Sequence, residues 1–231
     1  MFEVNVSNPN PNLASPEAEK VEAEQNPTFS EDSALAVLQT SGVTSEALAN
    51  LARNPAATRS RKVAVALAIH PRTPRHIAVP LLRNLFTFDL MQVALTPVVA
   101  PDIKRVAEEH LLHRLESLSA GERITLARRA SGRIAAALLH DSDRRVVATA
   151  LDNSHLVEAF VVTALMTKDA AGSLFEVVSR HPNWSQRHDV QIALLRSEKL
   201  PQECAAEIAQ NFSASVLREI LPESRRDPDR S

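Results

Sequence analysis

Hydrophobic positions recur at helical spacing between about residue 30 and residue 221, and polar turns, many with proline, interrupt them. No clear period-two strand pattern appears. The pattern predicts an all-α fold of short helices, each about 8 to 16 residues long. The clearest apolar stripe has its members three or four residues apart, on one helix face, and comprises Ile103, Val106, Ala107, Leu111, Leu112, Leu115 and Leu118.

Helix starts are predicted from proline and from capping side chains. Pro74, Pro101 and Pro201 are placed at or near a first helical position, where the missing N–H costs nothing. The hydroxyl of Thr73, just before the first of these prolines, is predicted to cap its helix. Residues 119–122 read Ser-Ala-Gly-Glu, which predicts a reciprocal capping box.

One segment of the sequence repeats. Segments that begin one residue before Val63, Val146 and Val190 align over thirteen residues, and residues 90–101 fit the same frame. Each copy is an apolar helix followed by a polar turn and a new helix start. The anchor positions 63, 90, 146 and 174 are 27, 56 and 28 residues apart, which predicts a period near 28.

A second half-unit precedes some copies. Helices near Ala47 and Leu174 each begin 16 residues before a repeat anchor and end at a polar residue followed by proline. Residues 113–133 fit the frame poorly. A single helix pair cannot bury its apolar stripe, whereas stacked pairs can, so the repeats predict helix pairs stacked in a solenoid.

Two segments carry a resemblance to a known family. Residues 51–82 contain LARNP followed by RKVAVALAIHPRTPRHIAVPLL, and residues 138–153 read LLHDSDRRVVATALDN. Both resemble the leucine-rich repeat variant, a HEAT-like bacterial helical repeat, and the resemblance covers about residues 46–210. It implies a right-handed α-solenoid. Some members carry an iron–sulfur cluster on cysteines, but this chain has only Cys204, so no cofactor is carried over.

Composition agrees with packed helices. Aromatic residues make up 3% of the chain and glycines number four, too few for a typical sheet protein. One cysteine excludes an intrachain disulfide. The N-terminus does not read as a secretory signal and no apolar run approaches a membrane-spanning length, so a cytoplasmic protein is expected.

Charged residues are distributed unevenly along the chain. Residues 1–33 hold seven acids and one base, residues 34–150 nine acids and sixteen bases, and residues 151–231 twelve acids and nine bases. Residues 1–29 and 222–231 are predicted to be disordered tails flanking a helical repeat domain over residues 30–221. The acidic N-terminal tail is a candidate to fold on a partner or to dock on the basic middle segment.

The basic middle segment supplies the candidate partner-binding residues. Guanidinium groups on a concave face bind phosphates or carboxylates; alternatively, Asp141 and Asp143 pair with neighbouring arginines at the surface. The aromatic side chains that single-stranded nucleic acid requires are missing. The candidates are Arg72, Arg75, His76, Arg128, Arg129, Arg133, Arg144 and Arg145.

For the other candidate sites, a structural role of the side chains is preferred over a chemical one. Glu109, His110 and His113 have the spacing to share a divalent metal on one helix face, but a second helix supplying ligands is not identifiable, so a half-exposed polar face is preferred. Trp184 is predicted to pack within its repeat, and Cys204 to be a small core residue. Turn residues predicted to cap backbone groups, in preference to forming a row of imidazoles, are Asn54, His70, Asn153 and His181.

No phosphate loop, nucleophile elbow or dinucleotide fingerprint is present, and the four glycines cannot assemble one. The sequence therefore favours a non-enzymatic scaffold that mediates protein–protein interaction. The alternatives are a nucleic-acid-binding HEAT-like module that uses the arginine-rich middle segment, and an enzyme or metal protein centred on Glu109, His110 and His113.

Overall fold

The computed structural model describes residues 30–40 and 42–221. Within these residues there are fifteen α-helices and one 3₁₀-helix, and no strand. The predicted all-α class is therefore confirmed. The two predicted tails, residues 1–29 and 222–231, lie outside the described residues.

The helices are short, as predicted. The longest α-helix has 14 residues, within the predicted range of 8 to 16, and the shortest has five, below it. No helix in the described ranges is both long and apolar enough to span a membrane. In chain order they are α1 (Glu31–Gln39), α2 (Ser45–Arg53), α3 (Pro55–Arg59), α4 (Arg61–Ile69), α5 (Arg75–Leu82), α6 (Thr87–Leu95), α7 (Pro101–Arg114), the 3₁₀-helix Leu115–Ser117, α8 (Ala120–Arg129), α9 (Gly132–Leu138), α10 (Arg144–Leu151), α11 (Glu158–Met166), α12 (Gly172–Ser179), α13 (His188–Leu195), α14 (Gln202–Ala209) and α15 (Ala214–Ile220).

Two of the predicted helix starts are confirmed. Ser119 caps α8 in a capping box, because its hydroxyl accepts from the Glu122 amide and the Glu122 carboxylate accepts from the Ser119 amide at 2.9 Å. Pro101 is the first residue of α7. The predicted stripe on α7 also packs inward, with Ile103 and Leu111 buried.

Two other starts are shifted by one residue. Pro74 and Pro201 occupy the capping positions of α5 and α14 and are not the first helical residues. The predicted cap from Thr73 is wrong, because its hydroxyl makes no hydrogen bond. A proline at the capping position puts Thr73 one residue too early to reach the unpaired amides of the first turn.

Two pairs of neighbouring helices begin side by side and run parallel. At one end of the molecule, Lys62 in the first turn of α4 pairs with Glu31 in the first turn of α1, which makes these helices parallel. Arg75 at the start of α5 pairs with Asp102 at the start of α7 in the same manner. The main contacts join helices one to three places apart in the chain, so each helix is held by its near neighbours in sequence.

Helix α4 joins two hydrophobic clusters. Val63 and Leu67 pack into a small cluster with α1 and α2. Ala64, Val65 and Ala68, on other faces of α4, belong to the large cluster that continues through the rest of the described chain. Because α4 is buried on several sides, it fixes the N-terminal helices onto the rest of the fold.

Side chains in turns and at helix ends reach back to carbonyls of an earlier turn, and we call these contacts turn-to-turn bonds. The donor follows the acceptor by 29 residues in three of them, close to the predicted period near 28. Each satisfies a carbonyl at or beyond a helix C-terminus, where the helix itself provides no partner. They join Arg72 to Val43 (3.1 Å), Arg114 to Leu85 (2.7 Å), Asn153 to Ala127 (2.7 Å) and Ala130 (3.0 Å), Trp184 to Leu151 (2.7 Å), and Lys199 to Ala170 (2.7 Å).

The predicted capping role of four turn residues is confirmed. In each case the side chain accepts a hydrogen bond from the backbone amide two residues later. The acceptor and distance are Asn54 Oδ1 at 2.9 Å, His70 Nδ1 at 3.2 Å, Asn153 Oδ1 at 2.7 Å and His181 Nδ1 at 3.3 Å. His181 also lies 3.2 Å from Asp152, 29 residues earlier, so the same turn is tied to a preceding one.

Part of the sequence alignment does not follow this packing. Val190 was aligned with Val146, but these residues are 44 positions apart, about one and a half periods. In the structure α13, which contains Val190, makes its main contacts with α11, α12 and α14. Leu174 on α12 is the position that follows Val146 by one period. The irregular stretch 113–133 coincides with the end of the long α7, the 3₁₀-helix, all of α8 and the first two residues of α9.

A change at Gly132 tests the closeness of this packing. A Cβ atom at Gly132, the first residue of α9, would lie 2.1 Å from the His155 carbonyl oxygen. We expect Gly132→Ala to lower the free energy of unfolding by about 1–3 kcal/mol, as overpacking does. Gly172, the first residue of α12, has open space around it. In urea titrations, Gly172→Ala should stay within about 1 kcal/mol of the parent chain; equal effects of the two changes would contradict the close contact.

Asn153→Ala tests the turn-to-turn bonds. The buried Asn153 side chain makes three hydrogen bonds, two of them to helix-terminal carbonyls. Their removal should lower the free energy of unfolding by about 2–4 kcal/mol. Asn54→Ala removes only the bond to its own turn and should cost about 1 kcal/mol. If Asn153→Ala and Asn54→Ala lowered the free energy of unfolding equally, in thermal or urea unfolding, the bonds from Asn153 to α8 and the turn after it would contribute nothing to stability.

Candidate functional site

An apolar groove of about 700 Å³ lies between α1, α4 and α6. Helix α4 forms its floor, α1 one wall, and α6 with the following turn the other. Val98 in that turn is an apolar side chain that is 61% exposed. The apolar lining residues are Leu35, Leu38, Val65, Ala66, Ile69, Pro71 and Val98.

Charged pairs border the groove where its helices begin. Arg61 binds both carboxylate oxygens of Asp89, at 2.8 and 2.9 Å, and Asp89 is only 6% exposed. The Arg61 guanidinium also lies 5.0 Å from the ring centre of Phe86, a residue that is 62% exposed. Because a buried carboxylate without a partner is costly, this pair fixes α4 against α6.

A second pair ties α4 to α1. Glu31 accepts from the Ser60 hydroxyl at 2.6 Å and from Lys62 at 2.9 Å. These bonds, the Ser60 hydroxyl first and Lys62 second, lower the pKa of Glu31, and the bond to Glu31 raises the pKa of Lys62. In the same way, the hydrogen bonds to Asp89 raise the pKa of Arg61. The groove wall is therefore charged across the whole neutral pH range.

His70 borders the opposite end of the groove. Its Nδ1 atom accepts from the Arg72 amide at 3.2 Å, so the turn requires that nitrogen without a proton. Burial, and to a smaller extent the charge of Arg72, lower the pKa of His70. The ring is thus held neutral as a structural acceptor.

Most of the predicted partner-binding arginines already have acceptors within the chain. Arg72 bonds to the Val43 carbonyl, and the acceptors of the other four are Asp102 for Arg75, Glu108 for Arg133, Glu176 for Arg144 and Asp143 for Arg145. Asp143 has its pKa lowered to about 2, chiefly by its hydrogen bonds with Arg145. Among the described residues, Arg128, Arg129 and His76 are exposed and make no hydrogen bond or ion pair.

The densest basic cluster in the sequence is divided in the fold. Helices α8 and α10 run parallel, because Arg123 near the start of α8 pairs with Asp141 just before α10, and Asn153 after α10 bonds to the end of α8. Arg128 and Arg129 in the last turn of α8 therefore lie at one end of these helices, and the arginines in the first turn of α10 lie at the other.

The metal alternative at Glu109, His110 and His113 gains no support. Across residues 30–40 and 42–221, no three metal-ligating side chains come together. The positive charges of Arg114 and Arg83 near His110 also oppose a bound cation. Together with burial, which has the larger effect, they lower the pKa of His110.

Trp184 and Cys204 are both buried, as predicted. Trp184 is 9% exposed, but its indole N–H donates to the Leu151 carbonyl at 2.7 Å, 33 residues earlier, so it packs against a preceding turn and not only within its own repeat. Cys204 is buried in the large hydrophobic cluster.

The sequence analysis did not predict the groove, although one signal for it was present. Helix α4 reads RKVAVALAI, with apolar residues on more faces than one neighbouring helix can cover.

Comparison of the chain with protein families, with curated proteins and with solved structures finds no match.

Removing Arg61 tests the groove wall. Arg61→Met leaves the buried Asp89 carboxylate without its bidentate partner, so the midpoint of urea unfolding should fall. Lys62→Met should change it much less, because the half-buried Glu31 keeps water and the Ser60 hydroxyl as partners. Adding Asp89→Leu to Arg61→Met should recover most of the loss. Equal urea midpoints for Arg61→Met and Lys62→Met would show that the buried Asp89 carboxylate does not need Arg61 as a partner.

His70 predicts a pH dependence of stability. A histidine whose folded-state pKa lies below its unfolded value stabilises the fold above the unfolded pKa, about 6.5, and loses that contribution as pH falls. His70→Asn keeps the acceptor for the Arg72 amide, as Asn153 does in its own turn, but does not titrate. From pH 7.5 to 5, the parent chain should therefore lose more stability than His70→Asn. Parallel pH profiles of their urea midpoints would contradict this.

Proposed function

We propose that this protein is a non-enzymatic helical-repeat scaffold that binds an apolar segment of a protein partner in the groove between α1, α4 and α6. One observation carries the proposal: about 700 Å³ of groove space is lined mainly by aliphatic side chains and is open to solvent. Apolar concavities of this size with a few charged groups at the border are typical of binding sites. Val98 in the groove wall is exposed, and exposed Phe86, which packs on Arg61, adds apolar surface outside the groove.

The architecture that we propose is a right-handed α-solenoid of HEAT-like helix pairs, of the kind that the leucine-rich repeat variant forms. Three features support it: contacts mainly between helices close in sequence, parallel neighbours two helices apart, and turn-to-turn bonds spaced by about 29 residues. Solenoids of this kind present extended surfaces to partners. The step from architecture to function is an analogy and has its support in the groove.

Nucleic-acid binding is the second candidate, and the exposed Arg128 and Arg129 favour it. Binding to phosphates needs several convergent cations. Five of the eight candidate residues already bond to acceptors in the chain, and two of these five, Arg144 and Arg145, start α10 at the end away from Arg128 and Arg129. These arrangements favour the protein partner.

The proposed function predicts a partner whose retention depends on the groove. The parent chain is used as bait in lysate at low and at high salt, with and without nuclease. Val98→Glu places a charge in the groove wall, and retention of the partner should fall at least about tenfold, the effect of losing about 1.4 kcal/mol of binding free energy. Val157→Glu is the matched control, because Val157 is a similarly exposed turn valine, 51% against 61%.

Three outcomes distinguish the candidates. A defined protein that survives nuclease and is lost only with Val98→Glu supports the proposal. A partner lost equally with both variants places the binding surface elsewhere. Nucleic acid that is retained at low salt, released at high salt and lost with Arg128→Glu/Arg129→Glu would favour the second candidate.

A further inference from the structure

The apolar groove begins beside the point where the described chain starts. Ser30 caps α1, and the first turn of α1 lies against the first turn of α4 through the Glu31–Lys62 pair. Residue 29 is therefore covalently attached next to the charged end of the groove. Any segment within residues 1–29 is therefore tethered beside this surface, and short tethers give effective concentrations in the millimolar range.

One part of this segment has apolar side chains at a spacing that fits. Residues 2–6 read Phe-Glu-Val-Asn-Val, with apolar residues at alternate positions. In extended backbone, alternate side chains point the same way and rise about 3.3 Å per residue, so Phe2, Val4 and Val6 would span about 13 Å on one side. The groove runs along α1 and α4, which have nine residues each, or about 13–14 Å.

The exposed Lys62 offers a contact for an acidic side chain of the segment. Residues 1–29 contain five acidic residues and one basic residue. At the charged end of the groove the side chains form two pairs, Arg61 with Asp89 and Lys62 with Glu31, so their charges balance, and Lys62 is still 73% exposed. Residues 7–29 are long enough to let residues 2–6 reach any part of the groove, because an extended chain covers about 3.3 Å per residue.

We propose that residues 2–6 of the same chain bind along the groove between α1, α4 and α6, with Phe2, Val4 and Val6 against its aliphatic floor. The segment occupies the surface offered to a partner, so the partner must displace it. This proposal rests on the groove being a peptide-binding surface, as in the proposed function. It identifies residues 2–6 as one occupant of the groove, so that a partner must compete with this segment for binding.

A photocrosslinking experiment on the full chain tests it. The residue p-benzoylphenylalanine replaces Val98 in one protein and Val157 in the matched control, and irradiated monomer is digested with trypsin. The chain has no Lys or Arg before Lys20, so residues 1–20 form one peptide, and residues 84–104 form the peptide that contains position 98. We expect a cross-link between these two peptides and none between residues 1–20 and residues 146–168, which contain position 157.

A second variant keeps the test specific. Phe2→Asp/Val4→Asp should abolish the cross-link from position 98 without changing thermal unfolding of the chain. Cross-links from position 98 only to other chains, only to residues 30–221, or to residues 1–20 in the double variant as well would overturn the proposal, as would equal cross-linking from position 157. If the cross-link is missing while Val98→Glu still releases a partner, the occupant is wrong and the proposed function stands. If both fail, the groove is not a binding surface.

Discussion

The turn-to-turn bonds are the interactions on which the arrangement of the helices depends. Helices of seven to ten residues are too short to be stable alone, and each one ends in carbonyls that the helix leaves unpaired. A later side chain supplies the missing partner at two helix ends, as Asn153 does for Ala127 and Trp184 does for Leu151. Arg72 and Lys199 bond in the same way to the turn carbonyls of Val43 and Ala170, 29 residues earlier. Each bond therefore fixes the position of one turn over an earlier one, and through the turns it fixes the spacing of the helices. Apolar burial supplies the stabilisation, and these bonds determine the register.

The groove follows from that register at the N-terminal end. Helices α1, α4 and α6 lie parallel, and charged pairs link α4 to both of the others, through Glu31 and Lys62 on one side and Arg61 and Asp89 on the other. The pairs fix both outer helices against the first turn of α4, and the aliphatic side chains that line the groove follow along these helices. A surface built in this way presents apolar contacts for affinity and fixed charges at one end for orientation.

The sequence predicts the local features well and the groove poorly. Helical periodicity, the Ser119 capping box and the turn acceptors depend on neighbouring residues, so a pattern reveals them. Thr73 fails as a cap because a shift of one residue changes which amide it faces. Arg128 and Arg144 are near each other in sequence but separate in the fold, since parallel helices place the end of one far from the start of the next. The groove requires three helices at a spacing that long-range bonds set.

Methyl-resolved NMR on the full chain is the most direct measurement of the central claim, that the groove is the binding surface. The leucine, valine and isoleucine methyl groups are labelled, and the captured partner segment is titrated in. The account predicts that shift changes concentrate on Leu35, Val65, Ile69 and Val98, which line the groove, while Val157 stays unchanged. Shift changes concentrated on the later helices, with the groove methyl groups unaffected at saturation, would contradict it.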